Sequence, residues 1–171
     1  MRVDFSAQGV KNMTTQFPGG LIDNGEEFRV KPFPLDQLGN SWCTVIEDGE
    51  AVSRFRRAWT ANNRGYSATW TIEYERLYLT SFGATDRDGR TLLMADVFDT
   101  TSLFAFWYTG ELRVHMGKVI YGFFEPTYEQ DRVWRFEHGV VKDRYIRTND
   151  TPEHLVKRAQ WEKQGGFCDT L

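Results

Sequence analysis

Three side chains able to bind or exchange protons occupy alternate positions in the chain: Glu111, Arg113 and His115. A carboxylate, a guanidinium and an imidazole on one surface could form an acid–base group. Same-face neighbours on a strand lie about 6.6 Å apart, so Glu111 could pair with Arg113 but lies about 13 Å from His115. A solvated sheet face explains the same pattern. If the sheet closes into a barrel, this face would instead line the lumen.

A second candidate group is a set of arginines and aromatic residues earlier in the chain. Arginine beside an aromatic ring can hold a phosphate or an acidic partner, although a solvated loop has the same composition. The predicted binding residues from both groups are Arg54, Arg56, Arg57, Trp59, Arg64, Tyr66, Trp107, Glu111, Arg113 and His115.

Other chemical signatures give less support to an enzyme. The histidines His115, His138 and His154 are predicted on a strand, in a turn and on a helix, without the spacing of a metal site. Signatures of a serine nucleophile, a P-loop or a dinucleotide-binding turn are missing from the sequence. The sequence therefore predicts no metal and no cofactor, and it favours a non-enzymatic protein.

Hydrophobic periodicity predicts the elements that carry these residues. Apolar and polar residues alternate from Tyr66 to Glu75 and again from Tyr108 to Met116, which indicates half-buried strands. Gly117 is predicted to end the second of these strands. His138-Gly139 suits a two-residue hairpin turn. Thr151 is a helix N-cap, followed by a proline that fits the first helical position.

Together these elements predict an all-β fold. We expect one antiparallel meander sheet of about seven to ten strands, closing into a barrel or a rolled sheet, with one C-terminal helix. Residues 1–25 are predicted to be a weakly structured segment, residues 26–150 the antiparallel β domain, and residues 151–171 the helix and tail.

Composition narrows the classes of partner. The chain has 171 residues, a formal net charge of −3 and 15% aromatic residues. An acidic balance argues against nucleic acid as a partner. The chain has no apolar run long enough to span a membrane and no apolar segment typical of a signal peptide at residues 1–6. A cytoplasmic protein that does not bind membranes is the expectation.

Residues from about Trp59 to Asp150 resemble a family of small bacterial β-rich proteins with no assigned activity. The similarity rests on Arg64-Gly65-Tyr66, Leu77-Tyr78-Leu79, the run from Tyr108 to Val114 (YTGELRV), Gly117, Tyr128-Glu129 and Glu137-x-Gly139-Val140. Proteins of this kind are often products of short accessory genes, so the resemblance implies an accessory or toxin-neutralising role.

Two functions follow as hypotheses. The first is a non-enzymatic, cytosolic protein that binds another protein, such as a toxin, in an immunity or accessory role. The alternative is a small-molecule-binding β-barrel, or an enzyme working in an aromatic-lined pocket.

Overall fold

A computed structural model describes residues 19–31, 33–57, 62–122, 126–149 and 151–164. Most of these residues form β structure, in agreement with the alternating pattern. The strands are β1 (Gly19–Asp23), β2 (Glu26–Val30), β3 (Thr44–Glu47), β4 (Glu50–Ser53), β5 (Tyr66–Glu73), β6 (Arg76–Thr85), β7 (Thr91–Leu93), β8 (Leu103–Phe104), β9 (Gly110–Tyr121), β10 (Thr127–Glu137) and β11 (Val140–Thr148). The helices are α1 (Met94–Phe98) and α2 (Pro152–Lys163), with a 3-10 helix at Pro34–Leu38.

The large sheet is mixed, so the prediction of an antiparallel meander is wrong. Its order is β2-β1-β5-β6-β11-β10-β9, with β7 and β8 also paired to β6, while β3 and β4 form a separate hairpin. β1 and β5 are parallel, with Leu21 opposite Trp70. Parallel neighbours need a crossover between them. Here the connection from β1 to β5 contains β2 and the β3–β4 hairpin, and β5 lies beside β1 in the same direction.

The sheet is also open, which corrects the predicted barrel. Its two edge strands, β2 and β9, meet at the isolated bridge between Lys31 and Arg113. The two backbone hydrogen bonds of this bridge measure 2.8 and 3.3 Å. Within the described residues no strand ladder joins β2 to β9. The edges therefore touch at one point and leave a gap beside it.

The prediction of a single helix is wrong as well, because the apolar stretch at 91–98 divides into β7 and α1. The Asp96 carboxylate accepts a hydrogen bond from the Leu93 N–H at 2.9 Å, which holds the first turn of α1. The second helix begins as predicted, since the Thr151 hydroxyl accepts from the His154 N–H at 3.4 Å. Neither described helix has the length and apolar character needed to cross a membrane.

The core confirms the alternation within β5 and β9, whereas Tyr74, predicted on the apolar face, lies after the end of β5 and is 95% exposed. On β5, Tyr66, Trp70 and Ile72 are buried. On β9, Leu112 is buried whereas Arg113 and His115 are exposed. Gly117 does not end this strand but lies within it, with a φ of 77°. The ladder between β9 and β10 is irregular in this region.

A buried carboxylate links distant parts of the sheet. Asp23, at the end of β1, accepts hydrogen bonds from the Trp134 indole N–H at 2.7 Å and from Arg144 Nε at 3.2 Å. Phe28 of β2 packs on Trp134, with ring centroids 5.1 Å apart. These contacts hold β1 and β2 against β10 and β11, so the sheet curls around its aromatic core.

Replacement of Gly139 by alanine tests the packing of the β10–β11 turn. A Cβ atom at Gly139 would lie 2.5 Å from the Ala105 carbonyl oxygen, and its φ is 74°. Gly89→Ala is the matched control, because Gly89 also has a positive φ (89°) but has open space around it. We expect the control to lower the free energy of unfolding by about 1 kcal/mol. Gly139→Ala should lower it by about 3 kcal/mol or more. Urea unfolding measures the free energy of unfolding of both variants. Equal losses of stability in the two variants would contradict the close packing around Gly139.

Candidate functional site: a cleft between the edge strands

A cleft of about 910 Å³ lies where β2 and β9 separate beside their single bridge. Its walls come from both edge strands, from the start of β10, from the end of β11 and from α2. We call it the interstrand cleft. Its described lining residues are Glu27, Phe28, Arg29, Lys31, Arg113, Val114, His115, Pro126, Thr127, Tyr128, Asp131, Arg147, Asn149 and His154.

A hydrogen-bonded chain of three side chains forms one wall of the cleft. His115 Nδ1 lies 2.7 Å from Asp131 Oδ1. The second oxygen, Asp131 Oδ2, accepts from Asn149 Nδ2 at 3.0 Å. The Asp131 side chain is 7% exposed and that of His115 is 44% exposed. The carboxylate is therefore fixed inside the protein, while the imidazole reaches solvent.

The geometry fixes the tautomer of the neutral imidazole. A carboxylate can only accept hydrogen bonds, so His115 Nδ1 carries the proton that faces Asp131. Nε2 is then the nitrogen with a free electron pair. The Tyr128 ring stacks on the imidazole, with centroids 4.8 Å apart and an interplanar angle of 8°. The orientation of His115 is thus set by one hydrogen bond and one ring contact.

The described lining of the cleft has more cationic than anionic side chains although the chain is acidic, and one of the cations, Arg147, is paired with Glu111 beside the cleft. Its described lining includes the four cations Arg29, Lys31, Arg113 and Arg147, against the two carboxylates Glu27 and Asp131. The whole chain carries a net charge of −3. A local excess of cations on an acidic protein attracts anions to that place.

Glu111 belongs to a separate network next to the cleft. Its carboxylate accepts from the Tyr145 hydroxyl at 2.7 Å and from Arg147 Nη2 at 2.7 Å. These two hydrogen bonds, first from Tyr145 and then from Arg147, hold the pKa of Glu111 below its usual range. Glu111 therefore stays ionised and orients Arg147. It does not pair with Arg113 as the strand spacing allowed.

The other predicted site residues are dispersed. Arg54 reaches the Asp96 carbonyl at 3.5 Å, and Arg56 and Arg57 border a shallow depression of about 320 Å³ together with Arg87. Trp107 donates its indole N–H to the Pro34 carbonyl at 3.0 Å. Trp59 lies outside the described residues.

Arg64 and Tyr66, also predicted to bind a partner, lie among core residues. The Arg64 guanidinium carbon lies 3.0 Å from the centre of the Phe33 ring. Tyr66 is 8% exposed, and burial raises the pKa of its phenol far above the usual value. Tyr66 therefore stays neutral. Of the ten predicted residues, Arg113 and His115 line the interstrand cleft.

Asp131, Asn149 and Tyr128 complete the wall of the cleft, and sequence reasoning missed all three. Asp131 stands directly opposite His115 in the β9–β10 ladder. A regular hairpin alignment that starts from Tyr121 opposite Thr127 would put Val133 opposite His115, so the register shifts in this ladder are what bring Asp131 there. Asn149 follows β11, so its approach to Asp131 depends on how β11 is aligned with β10, in addition to the alignment of β10 with β9.

Among the described residues, no group of three or more histidine, cysteine, aspartate or glutamate side chains is placed to hold a metal ion. No protein-family model, no curated protein and no solved structure matches the chain. The resemblance to small bacterial proteins thus stays a prediction.

Acid titration tests the Glu111 network. Because the folded pKa of Glu111 is depressed, the network stabilises the fold above the unfolded glutamate value of about 4.3. This contribution is lost as the pH falls through the lower folded value. Glu111→Gln should reduce the free energy of unfolding at pH 7 by about 1 kcal/mol. The difference from the wild type should shrink below about pH 4.3.

Chemical unfolding between pH 7 and pH 3 gives the free energy of unfolding of the wild type and of Glu111→Gln. Glu73→Gln is the control, because Glu73 is an exposed carboxylate on β5 outside this network. The control leaves the Tyr145 and Arg147 hydrogen bonds of Glu111 in place, so it should not show the loss of stability at pH 7 that Glu111→Gln shows. An effect of Glu111→Gln that does not change with pH would contradict the assignment.

Proposed function

We propose that this protein binds a small anionic molecule with an aromatic part in the interstrand cleft. The observation that carries the proposal is the excess of cations in a concave site on an acidic chain. Ligand sites typically have volumes of about 300–1,000 Å³ and combine apolar walls with a few polar groups. The cleft, at about 910 Å³, lies within that range.

The side chains in the cleft define the ligand class. Arg113 presents a guanidinium group, which suits carboxylates and phosphates because it can donate two parallel hydrogen bonds. Arg147, whose Nη2 is held by Glu111, adds positive charge to the same wall. Phe28 and Tyr128 supply aromatic surface, against which a ring of the ligand can pack. The proposal retains the small-molecule hypothesis from the sequence but places the ligand between two strand edges rather than inside a barrel.

Binding of simple probes tests this proposal. We expect phenyl phosphate and benzoate to bind more tightly than phenol, because only the first two carry a charge that the arginines can neutralise. Inorganic phosphate separates the contribution of the anion from that of the ring. Two-dimensional NMR titration gives the affinities and the residues affected. Equal affinity for phenol and phenyl phosphate, or no binding of any probe, would contradict the proposal.

A pair of variants locates the binding site. Arg113→Gln should weaken the binding of phenyl phosphate about tenfold, the effect of losing one charged hydrogen bond. Arg57→Gln is the matched control, because Arg57 borders the separate shallow depression and should leave the affinity unchanged. Equal loss of affinity in both variants would indicate nonspecific attraction to a basic surface.

A second candidate function is binding of another protein, including a toxin, at the shallow depression. Its support is the group of Arg56, Arg57 and Arg87, together with Ile46 on the neighbouring hairpin, which is 71% exposed. Charged groups at a depression and an exposed apolar residue on the adjoining hairpin suit a protein partner, and Arg87 already joins the two through its ion pair with Glu47. This proposal predicts that an Arg56→Glu, Arg57→Glu double variant loses a partner that co-purifies from the native host. Arg113→Gln should retain that partner, and retention by the double variant would contradict this candidate.

A further inference from the structure

We propose that His115 is a catalytic general base that activates water to hydrolyse an ester bound in the interstrand cleft. The substrate class is an aryl ester that also carries a carboxylate. This inference rests on the proposed function, because the carboxylate would be held by the cations already assigned to anion binding.

The first support is the environment of the imidazole. Asp131 is 5% exposed as a residue, and its two oxygens face His115 Nδ1 and Asn149 Nδ2 at 2.7 and 3.0 Å. A buried carboxylate on Nδ1 fixes the tautomer that leaves Nε2 able to accept a proton. It also stabilises the imidazolium that forms when Nε2 takes that proton.

The second support is that His115 is supported on several sides yet reaches the solvent in the cleft. Both of its partners come from β10, since Asp131 bonds to Nδ1 and Tyr128 stacks on the ring, while Asn149 holds the far oxygen of Asp131. His115 is 44% exposed and lines the cleft. General bases need both orientation and access to substrate.

The third support is the position of the cation. Arg113 lies two residues from His115 on the same strand face, which is about 6.6 Å along the strand. A substrate carboxylate bound by Arg113 would place an acyl carbon a few bonds away close to His115. Of the described lining residues, Thr127 and Tyr128 are those that carry hydroxyl groups, and there is no serine or cysteine. Water is therefore the proposed nucleophile.

The reaction balances without a further reactant. The oxygen of water forms a bond to the acyl carbon, the carbonyl electron pair moves to the carbonyl oxygen, and His115 Nε2 accepts one proton from the water. When the tetrahedral intermediate collapses, the bond to the leaving oxygen breaks and that oxygen takes the proton back from Nε2. The products are a carboxylic acid and an alcohol or phenol, and the imidazole returns to its neutral form.

Hydrolysis of mono-para-nitrophenyl succinate tests the proposal, with release of nitrophenol measured by absorbance. Its anilide analogue, which is not readily hydrolysed, gives the affinity separately. We expect His115→Gln to lower kcat by about 100-fold or more and to change the Kd for the anilide by less than about threefold. His138→Asn is the matched control, because it removes an imidazole from the β10–β11 turn and should leave both values unchanged.

The outcomes are distinct. Unchanged kcat in His115→Gln, or a loss confined to His154→Gln, overturns the assignment to His115. A wild-type protein that binds the anilide but hydrolyses the ester no faster than free imidazole overturns the catalytic inference and leaves the binding proposal intact. If the wild-type protein does not bind the anilide, both the catalytic inference and the binding proposal are overturned.

The tautomer provides a test that does not depend on any variant. Nitrogen NMR of the wild-type protein should show the neutral His115 ring protonated at Nδ1, as the contact with Asp131 requires. A ring protonated at Nε2 would have no electron pair directed into the cleft, and that result overturns the proposal.

Discussion

The hydrogen bond between the Trp134 indole and the buried Asp23 carboxylate is the interaction on which the rest of this structure depends. Asp23 ends β1, whereas Trp134 lies in β10, four places away in the order of the sheet. A buried carboxylate is strongly unfavourable without partners, and Arg144 from β11 supplies the second one. The sheet must therefore curl until its far strands reach β1. Phe28 then lies on Trp134, so β2 is brought next to β9.

This curl, without full closure, creates the cleft. A closed barrel would pair every edge group and leave an interior lumen. Here the edges join at Lys31 and Arg113 and separate beyond that pair, so polar residues of both edges face a shared space. The site is consequently built on strands rather than on a long loop. Strands hold side chains with more precision than loops do, which suits a group such as His115 whose orientation depends on Asp131 and Tyr128.

The pattern of residue types along the chain was sufficient to predict structural features that depend only on residues near one another in sequence. The alternation in β5 and β9, the His138-Gly139 turn and the Thr151 cap are all local patterns, and the structure contains each of them. The parallel pairing of β1 was missed because Gly19 and Gly20 look like a break in the sequence. A Cβ atom at Gly20 would lie 3.1 Å from Thr69 Oγ1, so the glycine allows β1 to approach β5 closely. The pair of His115 and Asp131 depends on cross-strand register, and the irregular ladder near Gly117 changes that register in a way that periodicity cannot show.

The residues that carry the family resemblance have mainly structural roles here. Tyr108 is fully buried, Gly139 lies against the Ala105 carbonyl, and Glu111 is held by Tyr145 and Arg147. His115, Asp131 and Asn149 lie outside those motifs. In this chain those motif residues support the curled sheet, and a fold does not by itself determine function. The acid–base capacity depends on a carboxylate opposite position 115 and an amide after β11, so these two positions distinguish a catalytic cleft from one that only binds anions.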